Sequence, residues 1–170
     1  LSIDYASSLD FGVQKITSKD QTYFAATQKY KTVGATDEVK EGPNYVQVTD
    51  NRGTEAGWSL KVKQEGQFKS TSGKELTGAA ITFKNGNVVT ASDSGKPTGP
   101  ATITLNSDGS QSDVMSAAKG NGAGTYLFDW GTDATTAAKS IELTVPGSTT
   151  KYAEKYATKL TWTLTDAPGN

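Results

Sequence analysis

Gly57-Trp58-Ser59-Leu60-Lys61-Val62-Lys63-Gln64 alternates apolar and polar side chains without a break. Trp58, Leu60 and Val62 leave an extended chain on one side, and Ser59, Lys61 and Lys63 on the other. One buried and one solvated face is the pattern of antiparallel sheet. The stretch 159–168 (KLTWTLTDAP) repeats the device, with Leu160, Trp162 and Leu164 on one face and Thr161, Thr163 and Thr165 opposite. In 140–147 (SIELTVPG), Ile141, Leu143 and Val145 share a side. Shorter alternating runs lie at 45–48, 80–83, 101–105 and 126–130.

Turn-forming residues separate these runs: Asp50-Asn51-Arg52-Gly53, Asn85-Gly86-Asn87, Asp108-Gly109, Pro146-Gly147 and the glycine-rich 120–124. Strands at short spacing with glycine-bearing turns predict an all-β fold, an antiparallel β-sandwich or barrel-like domain with at most short helices. Two segments carry a weak helical pattern, 113–119 (DVMSAAK, with Gly120 as a stop) and 150–157. The stretch 92–99 (SDSGKPTG) reads as a long surface loop, since the strands on either side are too few to fold apart. One domain over 1–170 is the expectation at this length.

Composition closes many functional routes. The 170 residues hold no cysteine and no histidine. That removes disulfides, thiol nucleophiles, the usual general base and the commonest metal ligands, so no cofactor and no metal site is expected. Missing cysteine is compatible with either redox compartment. Seventeen basic residues stand against eighteen acidic ones, a balance that argues against nucleic acid and against electrostatic attraction to anionic lipid. No apolar run approaches the ~18 residues of a membrane-spanning helix, so direct membrane insertion is not expected. The 25 threonines, 15 serines and 18 glycines, with 16 lysines but one arginine, suit an extracellular β-surface. The sequence opens at Leu1 without a signal-peptide pattern, and any export signal is expected to have been removed or left out.

Trp58-Ser59-Leu60 and Trp162-Thr163-Leu164 are two copies of one tripeptide pattern about a hundred residues apart. An indole flanked by such leucines is expected to face the core; the alternative is an exposed platform stacked on sugar rings. The flanks are specific. Residues 46–53 (VQVTDNRG) and Gly57 precede the first copy, and 156–168 (YATKLTWTLTDAP) surround the second. Between them lie 76–86 (LTGAAITFKNG) and 140–147; upstream are Leu9-Asp10-Phe11-Gly12 and Asp20-Gln21-Thr22-Tyr23. Over essentially its whole length the chain resembles the WxL domain of Gram-positive cell-surface proteins. With no appended domain and no C-terminal sorting motif legible, it looks like a small WxL protein.

The resemblance implies non-covalent attachment to the cell wall through peptidoglycan, at the extracellular surface of the secreted protein. It also implies a membrane-anchored WxL-interacting protein as partner. The two tripeptides are expected to lie near one another as a scaffold made of Trp58, Leu60, Trp162 and Leu164. The binding surface is then expected on the loops they position, at Asp50, Asn51, Arg52, Asp166 and Pro168. No catalytic residue is assigned and no enzyme is expected. Two other readings compete: a protein-recognising structural or adhesin module, and a peptidoglycan glycoside hydrolase, which needs only two carboxylates. Asp50, Asp129 and Asp166 are the carboxylates to weigh, although Asp at a strand end is usually turn chemistry.

Three further motifs have simpler explanations. Gly120-Asn121-Gly122-Ala123-Gly124 lacks the strand–helix frame of a dinucleotide loop. Asn106-Ser107-Asp108-Gly109-Ser110 has its glycine too early for a calcium loop, and the twelfth position is Ala117. The four lysines of 15–31 fit a solvated face.

Overall fold

The computed structural model describes residues 1–34 and 38–169. The first strands are β1 (Ser2–Ala6), β2 (Gln21–Phe24), β3 (Gln28–Lys31), β4 (Val39–Gly42) and β5 (Asn44–Asp50). Then follow β6 (Trp58–Gln64), β7 (Lys69–Ser70), β8 (Ala80–Phe83), β9 (Gly86–Val89) and β10 (Ile103–Thr104). The chain continues through β11 (Gln111–Ala117), β12 (Gly124–Trp130), the single helical turn α1 (Ala134–Ala137) and β13 (Ile141–Val145). It closes with β14 (Tyr156–Ala157) and β15 (Leu160–Thr165). The fold is all-β and sandwich-like, and every strand pair is antiparallel.

Three sheets dominate, in the orders β1-β5-β12-β9, β10-β8-β13-β2 and β11-β6-β15, with β14-β7 and β3-β4 as small ladders. Burial follows the sequence pattern. In β5 and β6 every second residue is buried and the others are part-exposed. The inward residues of the three sheets form one cluster, including Val46 and Val48 of β5, Trp58, Leu60 and Val62 of β6, and Ile81 and Phe83 of β8. Trp130 of β12 joins them: its ring lies 4.7 Å from Phe83, 5.6 Å from Phe128 and 6.0 Å from Trp162. These tilted and edge-on contacts suit the ring quadrupoles and add to the area buried.

Neither expected helix forms. Residues 111–117 are strand β11, paired with β6, and the reason for the misreading is a bulge. The register slips between Asp113 and Met115, so Val114 and Met115 are both buried, and two adjacent buried residues imitate a helical face. Residues 150–155 run irregularly with a bend at 153–154 and lead into β14; Lys151 Nζ anchors them by donating to the carbonyls of Thr17, Pro146 and Thr149 at 3.0–3.1 Å. The helical turn that does form, α1, starts at a capping box. The Asp133 carboxylate accepts from Thr136 N at 2.7 Å, and Thr136 Oγ1 accepts in return from Asp133 N at 3.1 Å.

Residues 92–99 run as a loop, but one stitched down at several points. Thr98 and Ser116 exchange backbone hydrogen bonds (2.9 and 2.8 Å), and Gly122 N donates to Gly95 O at 2.9 Å. Ser94 Oγ donates to Glu55 Oε1 at 2.9 Å. The loop is thereby fixed against β11 and against the segment that precedes β6.

Candidate functional site

β6 and β15 are adjacent. Their register runs without interruption from Leu160↔Gln64 to Thr165↔Ser59, placing Leu164 beside Leu60 and Trp162 beside Val62. Two tripeptides separated by about a hundred residues thus lie side by side in one sheet.

Trp58 is fully buried. Its Nε1–H donates to the Gly122 carbonyl at 3.0 Å, and its ring centroid lies 6.2 Å from that of Tyr126. Gly122 has φ +84°, and a Cβ there would stand 2.4 Å from Ala117 Cβ and 2.7 Å from the Trp58 indole nitrogen. Only glycine accepts both the conformation and the approach. Leu60 is buried as well, whereas Trp162 and Leu164 are part-exposed. Trp162 packs its ring against Trp130.

The residues singled out around these strands separate into three kinds. Asp50, the last residue of β5, is only 2% exposed. Its carboxylate accepts from Arg52 Nε and Nη2, both at 2.9 Å, and from Arg52 N at 3.1 Å. Arg52 Nη2 also donates to the Gly57 carbonyl at 2.9 Å. The guanidinium holds the Asp50 carboxyl below the usual carboxylate range, and Asp50 in turn raises Arg52, with Asp166 adding to the same field. Asp50 is a buried brace, while Arg52 keeps part of its surface in solvent. Asn51 and Asp166 are exposed. Pro168 is exposed too, but one side of it rests on the backbone at Gly57, where a Cβ would come within 2.8 Å of Pro168 Cβ. Gly169 N then donates to Ala117 O at 3.1 Å, fastening the tail of the second motif beside the first.

This fastening creates a cleft of about 400 Å³ on the solvated face of the sheet. Ser59 and Lys61 of β6 and Asp113 and Ser116 of β11 form its floor, and Thr98 and Pro168 are among the residues that complete the lining. Lys61 Nζ lies 3.2 Å from Asp113 Oδ1, with both side chains well exposed. The floor offers hydroxyls, an ammonium and a carboxylate, and Pro168 offers an apolar edge, a mixture suited to a hydroxyl- and amide-rich ligand. Of these residues sequence reasoning named only Pro168. The outward phase of Ser59 and Lys61 was legible from the alternation; Asp113 was hidden by the helical reading of its segment.

Asp129 stands apart. It leaves β12 on the solvated side, in register with Tyr45 of β5 and Asn87 of β9. Its Oδ1 is buried without a hydrogen-bond partner among the described residues, and burial pushes the carboxyl up to about 6. A pKa raised in the folded state favours folding while the group is protonated. The stabilisation is present below the unfolded value near pH 4 and lost as pH rises through about 6. Asp129→Asn is therefore expected to be more stable than the parent by about 1–2 kcal/mol near pH 8, with the difference shrinking near pH 4. Denaturant unfolding of both proteins at the two pH values measures it, and an equal difference at both would refute the assignment.

The family model that matches residues 1–168 describes a surface domain that binds the cell wall. The chain belongs to that family, the WxL domain family. Both paired motifs and all of the cleft lining except Gly169 fall within the match. No curated protein and no solved structure gave a significant match. Among the described residues no helix is long and apolar enough to cross a membrane, and no group of three or more His, Cys, Asp and Glu is placed to hold a metal ion.

Proposed function

We propose that the chain is a secreted, non-catalytic module that holds to the cell wall by non-covalent contact with peptidoglycan. The ligand lies in the cleft over Ser59, Lys61, Asp113 and Ser116, and a membrane-anchored WxL-interacting protein is the second partner. The observation that carries this reading is the cleft itself. It is polar, open to solvent and built where the flanks of both motifs meet, whereas Trp58 is sealed in the core. Exposed loop residues Asn51, Arg52 and Asp166 extend the contact surface beyond the cleft. The carboxylates Asp50 and Asp129 do not form a hydrolase pair: Asp50 is neutralised by Arg52, and burial alone, not a second carboxylate, raises Asp129.

Pull-down on purified peptidoglycan sacculi, with and without accessory wall polymers, tests the reading. Lys61→Ala removes one charged donor from the floor and is expected to weaken sacculus binding about tenfold, the worth of one hydrogen bond to a charged group. Its melting temperature should stay within a degree or two, because the Lys61–Asp113 pair is exposed. Retention of the parent protein only when accessory polymers are present, or full binding by the variant, would remove peptidoglycan from this cleft.

A further inference from the structure

β15 is an edge strand. One side pairs with β6, and no other hydrogen bond reaches the main chain of Leu160–Thr165 among the described residues. Sheet edges are ordinarily guarded by charge, proline, a bulge or brevity. Of the other edges of the three sheets, β11 carries a bulge and Asp113, β1 a bulge and Asp4, β10 has two residues, and β2 and β9 have only four each. β15 has none of these. Its six residues include no charge and no proline, and its register is unbroken.

Leu160-Thr161-Trp162-Thr163-Leu164 also reads the same in both directions. We propose that β15 pairs antiparallel with β15 of a second copy of this chain, about a twofold axis through Trp162. The pairing sets Leu160 opposite Leu164 of the copy, Thr161 opposite Thr163, and Trp162 opposite its own counterpart. An axis perpendicular to the sheet keeps like faces together, so the part-exposed Leu160, Trp162 and Leu164 cover one another. The outward face of the pair carries only Thr161, Thr163 and Thr165 with Lys159 at the margin, so no like charges meet directly across the axis. One strand pair is a small interface, so the association is weak and depends on concentration. It is independent of what fills the cleft.

Sedimentation equilibrium is expected to show the mass rising from 17.9 kDa toward twice that value with concentration. Thr161→Glu with Thr163→Glu, which sets carboxylates directly opposite one another across the axis, should weaken the dimer about tenfold, whereas Thr161→Glu with Thr163→Lys, which sets opposite charges there, should keep it. Because the chain has no cysteine, register can be tested directly. Thr161→Cys and Thr163→Cys proteins should cross-link efficiently when mixed and poorly when either is alone, with circular dichroism melts confirming that each is folded. A mass of 17.9 kDa at every concentration overturns the proposal. So does a dimer whose cross-links show no preference for the mixture, since it would use another surface.

Discussion

Trp58→Ala is expected to melt far below the parent protein. The substitution empties a fully buried indole site and deletes the hydrogen bond to Gly122. Large-to-small changes of this kind cost about 3–5 kcal/mol. A domain with a typical stability of about 5–15 kcal/mol could lose most of it. At this size the loss corresponds to a melting temperature lower by about 10 °C or more. Trp162→Ala should cost less, because Trp162 keeps part of its surface in solvent. Thermal melting paired with sacculus binding distinguishes a core role from a ligand contact. If Trp58→Ala keeps its melting temperature but loses the wall, Trp58 is a platform and the burial argument fails. The expected order is the reverse, with wall binding lost only because the fold is lost.

Arg52→Ala should have the next largest effect, a clear loss of stability smaller than that of Trp58→Ala. It leaves the Asp50 carboxylate buried without its counter-charge, and breaking a buried pair from one side costs far more than the pair is worth. It also frees the Gly57 carbonyl at the start of β6. Arg52→Lys should recover little, because an ammonium cannot supply two parallel donors to the carboxylate and a further one to the backbone. The sole arginine among sixteen lysines stands where a fork is needed. Asp50→Asn combined with Arg52→Ala should be more stable than Arg52→Ala alone, since no buried charge then remains; chemical denaturation of the three variants gives the coupling. A double variant no better than the single would mean that the brace acts through Gly57 and not through charge.

The strands of the fold were legible where burial follows a strict period of two. β5, β6 and β13 could be read that way from Val46 and Val48, Trp58 to Val62 and Ile141 to Val145, and β15 from the alternation of Leu160, Trp162 and Leu164 although these stay part-exposed. The reading failed where the period breaks. The bulge before Met115 put two neighbours inward and disguised β11 as a helix. The irregular run of 150–155 depends on Lys151 reaching carbonyls at Thr17 and Pro146, contacts that no local pattern announces. The helical turn α1 has a Thr as the returning partner of its capping box, in place of the Glu or Gln that marks the motif in sequence. Of the loop residues named around the motifs, Asp50 proves to be internal. Its partner is two residues away, and burial of that pair is decided by the tertiary fold. The cleft was invisible because Thr98, Asp113 and Pro168 come from three distant segments.

The pairing of β6 with β11 and β15 also sets an order of events. Both neighbours of β6 are encoded after it, and the second lies about a hundred residues downstream. As the chain grows, Trp58, Leu60 and Val62 first gain β11 as a neighbour, and β6 gains its second neighbour only when Leu160–Thr165 arrives. The three-stranded sheet therefore completes only through a contact about a hundred residues distant in sequence, the kind of pairing that forms slowly. Within this sheet β15 is the latch, the strand that gives β6 its second neighbour.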